Sequence, residues 1–316
     1  MKSYSVCEKN LSQNSTQVRH TIEISKALTK IGHQTKIYGF NFGERLNYNN
    51  LSIYYPITIP IPFINQLTSR LGLFFLLLFH TLKYKPSFLY FRQTALTITP
   101  IIVSKITKTP AVSEVNGLIL DEERMLKSPL IKIWIIKKIE GFSYNHCKAV
   151  VSVTPGIKRE LHKMYNIPLD KMKVVSNGAN TDLFRPIKNA KEKLGLDPDS
   201  KYIGFIGNFA PWQGVEYLIQ AAPEIIKKEP KVRFLIVGDG IMRNKLEEMV
   251  KKLELENYFI FTGNVEYEKV SLYINSFDVC VAPWIKDRNE KIGLSPLKLY
   301  VYLACAKPVV ASNIPG

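Results

Sequence analysis

The sequence predicts an α/β protein built from two doubly wound, parallel-sheet domains. Three observations predict it. Strand-like and helix-like stretches alternate along almost the whole chain, and that alternation builds parallel sheets covered by helices on both faces. The pattern breaks between about Phe184 and Ser200, where Pro186, Gly195, Pro198 and mixed charges read as a linker, and then it restarts. The length, 316 residues, suits two domains of ordinary size. The expected domains are residues 1–186 and 187–316.

The elements follow in order. Ile24, Ala27, Leu28 and Ile31 recur at helical spacing and end at Gly32, a natural C-terminal cap. Thr35 to Tyr38 reads as a strand, and Leu51 to Ile59 is β-branched and aromatic. Phe63 to Tyr84 predicts a long helix and Phe88 to Phe91 a buried strand. A helix is expected over Leu96–Ile106, a strand over Ala111–Val115, a helix over Ile131–His146 and strands over Ala149–Val153 and Lys173–Val175. After the break, Tyr202–Gly207 reads as a strand. Val215, Leu218, Ile219, Ala222, Ile225 and Ile226 mark one face of a helix. Phe234–Val237 is a strand, followed by a helix from Met242 to Leu253, strands at Phe259–Phe261 and Val279–Val281, a helix over Leu297–Cys305 and a strand over Pro308–Ala311. The sequence stops just after that strand, where a doubly wound domain needs one more helix. The second domain is therefore expected to be incomplete.

Charge is the most informative feature of the composition. Lys and Arg number 43 against 27 Asp and Glu, a net charge of +16. Residues 1–186 alone carry +14, and no acidic residue lies between Glu44 and Glu114. So one-sided a field favours an anionic partner, either nucleic acid, acidic lipid or a phosphorylated substrate. Basic and aromatic residues do not interleave as in single-strand binders, so nucleic acid is not an expected partner. The four cysteines are scattered, which excludes a disulfide framework and a structural zinc site and fits a reducing cytoplasm. The N-terminus has no apolar core long enough for a signal peptide. The longest apolar run, Leu71–Phe79, is about half a membrane span. Beside so basic a surface, that run is expected to dock the protein peripherally on the anionic inner face of the membrane.

Few residues carry chemistry by pattern alone. Gly238-Asp239-Gly240 follows a strand and opens a helix, either seating a phosphate on the helix N-terminus or simply making a tight turn. The third glycine of the dinucleotide fingerprint is absent, with Arg243 in its place. His20, His33, His80, His146 and His162 show no metal-ligand spacing and are read as packing or surface residues. No Gly-x-Ser-x-Gly elbow is present.

Several stretches together resemble the family 4 retaining glycosyltransferases. Glu114-Val115-Asn116-Gly117 and Val174 to Pro186 resemble the end of their first domain. Gly207-Asn208-Phe209-Ala210-Pro211-Trp212-Gln213-Gly214 resembles their phosphate-side loop, and Val237-Gly238-Asp239-Gly240 and Phe261 to Val265 the next two strand ends. Gly293 to Ala311 resembles their donor-binding helix. The resemblance runs from the first helix to the C-terminus.

The resemblance implies two Rossmann-like domains facing a cleft, the GT-B arrangement. It implies transfer of sugar from a UDP- or GDP-linked nucleotide-sugar, with retention and without metal or other cofactor, to a glycan or lipid-linked acceptor in polysaccharide or envelope synthesis. Donor contacts are expected from Asn208, Gln213, Gly238, Val265, Glu290, Ser295, Leu297 and Val301. Asn116 and Lys298 are the expected catalytic residues, with Arg92 and Gly117 on the acceptor side. The sequence departs from the family where Arg gives way to Asn208, Lys to Gln213 and the second of a pair of glutamates to Val301. Lys298 and Glu290 are read as replacements for the lost cation and carboxylate. A non-catalytic homologue and a nucleotide-sugar epimerase on the same fold are the alternatives.

Overall fold

The protein is described from a computed structural model, which covers residues 1–12, 15–43, 51–58 and 64–315. It divides into two compact units, residues 1–176 and 177–316. Each holds one parallel sheet.

The first sheet has seven strands: β1 (Lys2–Asn10), β2 (Gln34–Phe40), β3 (Ser52–Tyr54), β4 (Phe88–Arg92), β5 (Ala111–Val115), β6 (Ala149–Ser152) and β7 (Met172–Val174), in the order β3-β2-β1-β4-β5-β6-β7. Sequence reasoning passes over β1, although it is a central strand paired with β2 and β4. Small polar residues hide it. Ser3 and Ser5 are buried and satisfied by other hydroxyls, Ser3 by Thr35 at 3.0 Å and Ser5 by Ser25 at 2.8 Å.

Local chemistry sets the element ends. Ser15 caps the helix Thr16–Lys30, its Oγ accepting the Val18 N–H, and Gly32 follows with a positive φ. The helix Pro155–Tyr165, also absent from the sequence reading, is capped by Thr154, has proline in its first turn and ends at left-handed Asn166. The β-branched and aromatic stretch Leu51–Ile59 contains the three-residue strand β3, and the expected helix Leu96–Ile106 begins only at Thr99. Ile59 and Phe63 lie outside the described residues.

The second sheet has five strands: β8 (Lys201–Ile206), β9 (Val232–Val237), β10 (Phe259–Gly263), β11 (Val279–Ala282) and β12 (Val309–Ala311), in the order β10-β9-β8-β11-β12. Alternate residues of β9 feed opposite cores. Phe234 and Ile236 join Phe205, Ile219 and Leu246 on one face, and Leu235 and Val237 join Phe277 and Tyr302 on the other. The segment read as a linker is part of this unit. Phe184 lies in its core, Ile187 donates its N–H to Asn275 Oδ1 at 2.8 Å, and Ala190–Lys193 forms a short helix. A ten-residue helix, Tyr267–Ser276, supplies Asn275 and is a further element that sequence reasoning passes over.

Strand order fixes where ligands belong. In the second sheet the chain winds outward from β8 in one direction and from β11 in the other. The crevice beyond the carboxyl ends of β8 and β11 is the topological switch point, the usual ligand position in open α/β sheets. In the first sheet the switch lies between β1 and β4.

Candidate functional site

Lys298, Gln213, Phe205 and Trp284 meet at the second switch point. Lys298 lies in the first turn of the helix Leu297–Ala304 and is half-buried. Its Nζ donates to Gln213 Oε1 at 2.8 Å and stands 3.4 Å from the centroid of the Phe205 ring, with Trp284 at 5.9 Å. No carboxylate pairs with it among the described residues. Burial pushes its ammonium well below the ordinary lysine range.

The surrounding loops come so close that only glycine fits them. A Cβ on Gly238 would stand 2.0 Å from the Gly207 carbonyl oxygen, and one on Gly214 1.8 Å from that of Pro283. At Gly207, whose φ is 144°, a Cβ would press on the end of the Lys298 side chain at 3.2 Å. The loops are tied together by Phe209 N–H to Asp239 O and Met242 N–H to Phe209 O. Asn208 is exposed on this ridge. Arg243 turns toward Asp239 and Glu247, at 3.5 and 2.8 Å. A cavity of about 400 Å³, lined by Tyr217, Pro283, Trp284, Ile285, Lys286 and Ser312, shares Trp284 with the cluster around Lys298.

The remaining expected donor residues make other contacts. Ser295 is engaged by Asn177, whose N–H donates to Ser295 Oγ and whose side-chain amide donates to Ser295 O, both at 2.7 Å. Val265 and Val301 pack on the core that holds Tyr302. Leu297 is half-buried at the helix start, and Glu290 is exposed on the helix Lys286–Ile292. Among the described residues no group of side chains could hold a metal ion.

In the first unit, residues at the carboxyl ends of β4 and β5 form a buried polar cluster with His20 of the helix Thr16–Lys30. Glu114 accepts hydrogen bonds from Tyr90 Oη and Asn116 Nδ2, and His20 Nε2 stands 2.6 Å from its Oε1. Burial alone would raise the Glu114 carboxyl. His20, Tyr90 and Asn116 together outweigh it and hold the carboxyl down to about 2. Arg92 pairs in register with Glu114 and is largely buried, so it is no surface ion pair. Its Nη1 is enclosed without a hydrogen-bond partner among the described residues. Gly117 follows at the turn out of the cluster. His20 is the member sequence reasoning misses, since it reaches Glu114 from 94 positions away with no spacing to announce it.

Residues 17–183 match the family model for Glycosyltransferase Family 4, and residues 186–316 the model for Glycosyl transferases group 1. An uncharacterized glycosyltransferase of Methanocaldococcus jannaschii is 32% identical over 180 residues, which are 55% of this chain and 44% of that protein. The chain spans about half the length of the curated relatives it matches. Among solved structures, sucrose-phosphate synthase from Thermosynechococcus elongatus superposes with a TM-score of 0.77 at 16% identity, covering 100% of this chain and 82% of that one. HepE of Anabaena, in complex with UDP and glucose, gives 0.75 at 17%, with coverages of 100% and 82%. At such identities the likeness establishes the fold of the two units as that of GT-B glycosyltransferases.

Proposed function

The chain belongs to glycosyltransferase family 4, and from that premise we propose that it moves a sugar from a UDP- or GDP-linked donor to a glycan or lipid-linked acceptor. The reaction is read as retaining and metal-independent, and as part of polysaccharide or envelope glycoconjugate synthesis. The bond between the anomeric carbon and the diphosphate oxygen breaks, a bond to the acceptor oxygen forms on the same face, and the acceptor hydroxyl gives up its proton to the departing diphosphate oxygen. The leaving diphosphate takes the electron pair.

The observation that carries this reading is the Lys298–Gln213 pair at the switch point. A leaving diphosphate develops charge that has to be met by fixed positive groups and aimed donors. Lys298 supplies the cation in a site partly closed to water, where it acts more strongly than at the surface. Because Gln213 Oε1 already accepts from Lys298, its NH₂ group faces away and is left to donate. The exposed Asn208 amide stands on the same ridge. The neighbouring cavity is within the size range of small-molecule sites. In the first unit, Asn116 is read as catalytic and Arg92 and Gly117 as acceptor-side residues.

A second reading is a homologue that binds donor poorly and does not transfer. It rests on three neutral residues, Asn208, Gln213 and Val301, at positions where the resembled family carries charge. Calorimetric titration with UDP, GDP and their sugars separates the two. Binding of one nucleotide together with release of it from the sugar donor in the presence of acceptor supports transfer. Absence of binding for every nucleotide overturns it in favour of the second reading.

A further inference from the structure

We infer that the first unit docks on an anionic lipid bilayer through one face formed by three neighbouring helices, Ile64–Tyr84, Thr99–Thr107 and Leu130–His146. This identifies the surface behind the lipid-side acceptor of the proposed function, but it stands on its own observations.

The helix Ile64–Tyr84 turns apolar side chains to both its inward and its outward face. Its inward face holds Ser69, Leu73, Leu77 and Thr81. Its outward face presents Leu67, Leu71, Phe75, Phe79 and Leu82, with Phe75 63% and Phe79 59% exposed. Steps of three and four residues place these five on one stripe. From Leu67 to Leu82 the stripe runs about 22 Å at the helical rise. A helix at a water-facing surface normally turns charge outward. Here the charged residues are Arg70, drawn inward to Glu8 at 2.8 Å, and Lys83 at the far end.

The stripe has company on the same face. The helix Thr99–Thr107 packs against both of the others, so the three lie side by side. Leu130–His146 adds Leu130, 84% exposed, and Trp134, 57% exposed. Tryptophan at an apolar–polar boundary suits a membrane interface.

Charge selects lipid over a second copy of the chain. The only acid in these three helices is Glu140, which is buried against Tyr144 and Tyr165. Lys83, Lys105, Lys137 and Lys138 pair with no carboxylate among the described residues. Two copies meeting through this face would set like charges against each other, whereas an anionic leaflet is drawn to it. The chain need not cross the bilayer for this, since no described helix is long and apolar enough to span one.

The test is flotation of the full chain with vesicles of phosphatidylglycerol and phosphatidylcholine in equal parts, or of phosphatidylcholine alone, at low and raised salt. The expected result is binding to the anionic vesicles that weakens with salt. Phe75→Ser with Phe79→Ser should lower partitioning about tenfold or more. Lys137→Gln with Lys138→Gln should do so on anionic vesicles only, to a similar extent. Both variants should melt as the parent does. No flotation at low salt overturns the inference, as does undiminished flotation of the serine variant. A parent dimer that the serine variant converts to monomer, without vesicle binding, assigns the face to self-association and also overturns it. Nucleotide titration of the same proteins keeps this outcome separate from the transfer reading.

Discussion

Lys298 Nζ donates to Gln213 Oε1 across 2.8 Å, and the bond decides which end of the Gln213 amide is free. One residue supplies charge and also orients its neighbour's donors. Lys298→Met should lower affinity for UDP or GDP about tenfold or more, since a charged hydrogen bond contributes about 1.5–3 kcal/mol. Gln213→Ala should cost less. Calorimetry on folded variants checks both, and equal affinities in all three proteins would remove Lys298 from the site.

The same lysine gives a pH signature. Its pKa is lowered by burial, so the folded chain releases this proton at a pH where the unfolded chain still holds it. Stability therefore rises with pH through that window, while diphosphate binding, which needs the ammonium, falls. Nucleotide affinity should decline below the usual lysine range in the parent and stay flat in Lys298→Met. Titrations across the alkaline range measure it.

Glu114 acts in the opposite direction. Its folded pKa, about 2, lies below the ordinary 4.5. Its contribution is present above about 4.5 and is lost as pH falls toward 2, with a ceiling of about 3 kcal/mol. Glu114→Gln should lower the urea midpoint at neutral pH, and the gap to the parent should close as the solution is acidified. A gap that stays constant from neutral pH to about pH 3 would contradict the depressed pKa.

Val301 stands one turn beyond Lys298 and packs partly on the core. Val301→Glu should tighten nucleotide-sugar binding about tenfold if its carboxylate reaches the ribose hydroxyls. The lost packing should cost about 1 kcal/mol of stability. A variant that is less stable and binds no tighter would place the ribose elsewhere.

Gly238 and Gly214 admit no side chain. Each has a positive φ, 125° and 67°, and the Cβ positions run into carbonyl oxygens. Alanine at either should destabilise the second unit by more than about 2 kcal/mol. Thermal unfolding measures it, and parent-like melting would mean that the loops can part.

The second unit was the more legible half. Its strands are unbroken β-branched and aromatic runs such as Phe234-Leu235-Ile236-Val237, and the expected elements fall close to the observed ones. In the first unit β1 was illegible because hydroxyl pairs, not apolar side chains, fill its place in the sheet. The helix Pro155–Tyr165 did carry its signals, Thr154-Pro155 at one end and Asn166 at the other, in a stretch short on apolar residues. At the site, Lys298 could be singled out, yet the Phe205 and Trp284 rings around it could not. They read as core residues, and only the fold brings them to the lysine. The His20–Glu114 contact was equally out of reach, because it depends on the helix Thr16–Lys30 packing on the sheet that holds β5.

Strand β1 is the keystone of the first sheet. It joins the β2–β3 edge to the four strands on its other side, so removing residues 2–10 would split one sheet into two and bare two unpaired strand edges. Trimming residues 2–10 therefore disturbs the middle of a domain rather than its margin. Loss of the strand would also undo the register that sets Lys2 and Ser3 beside Gln34 and Thr35.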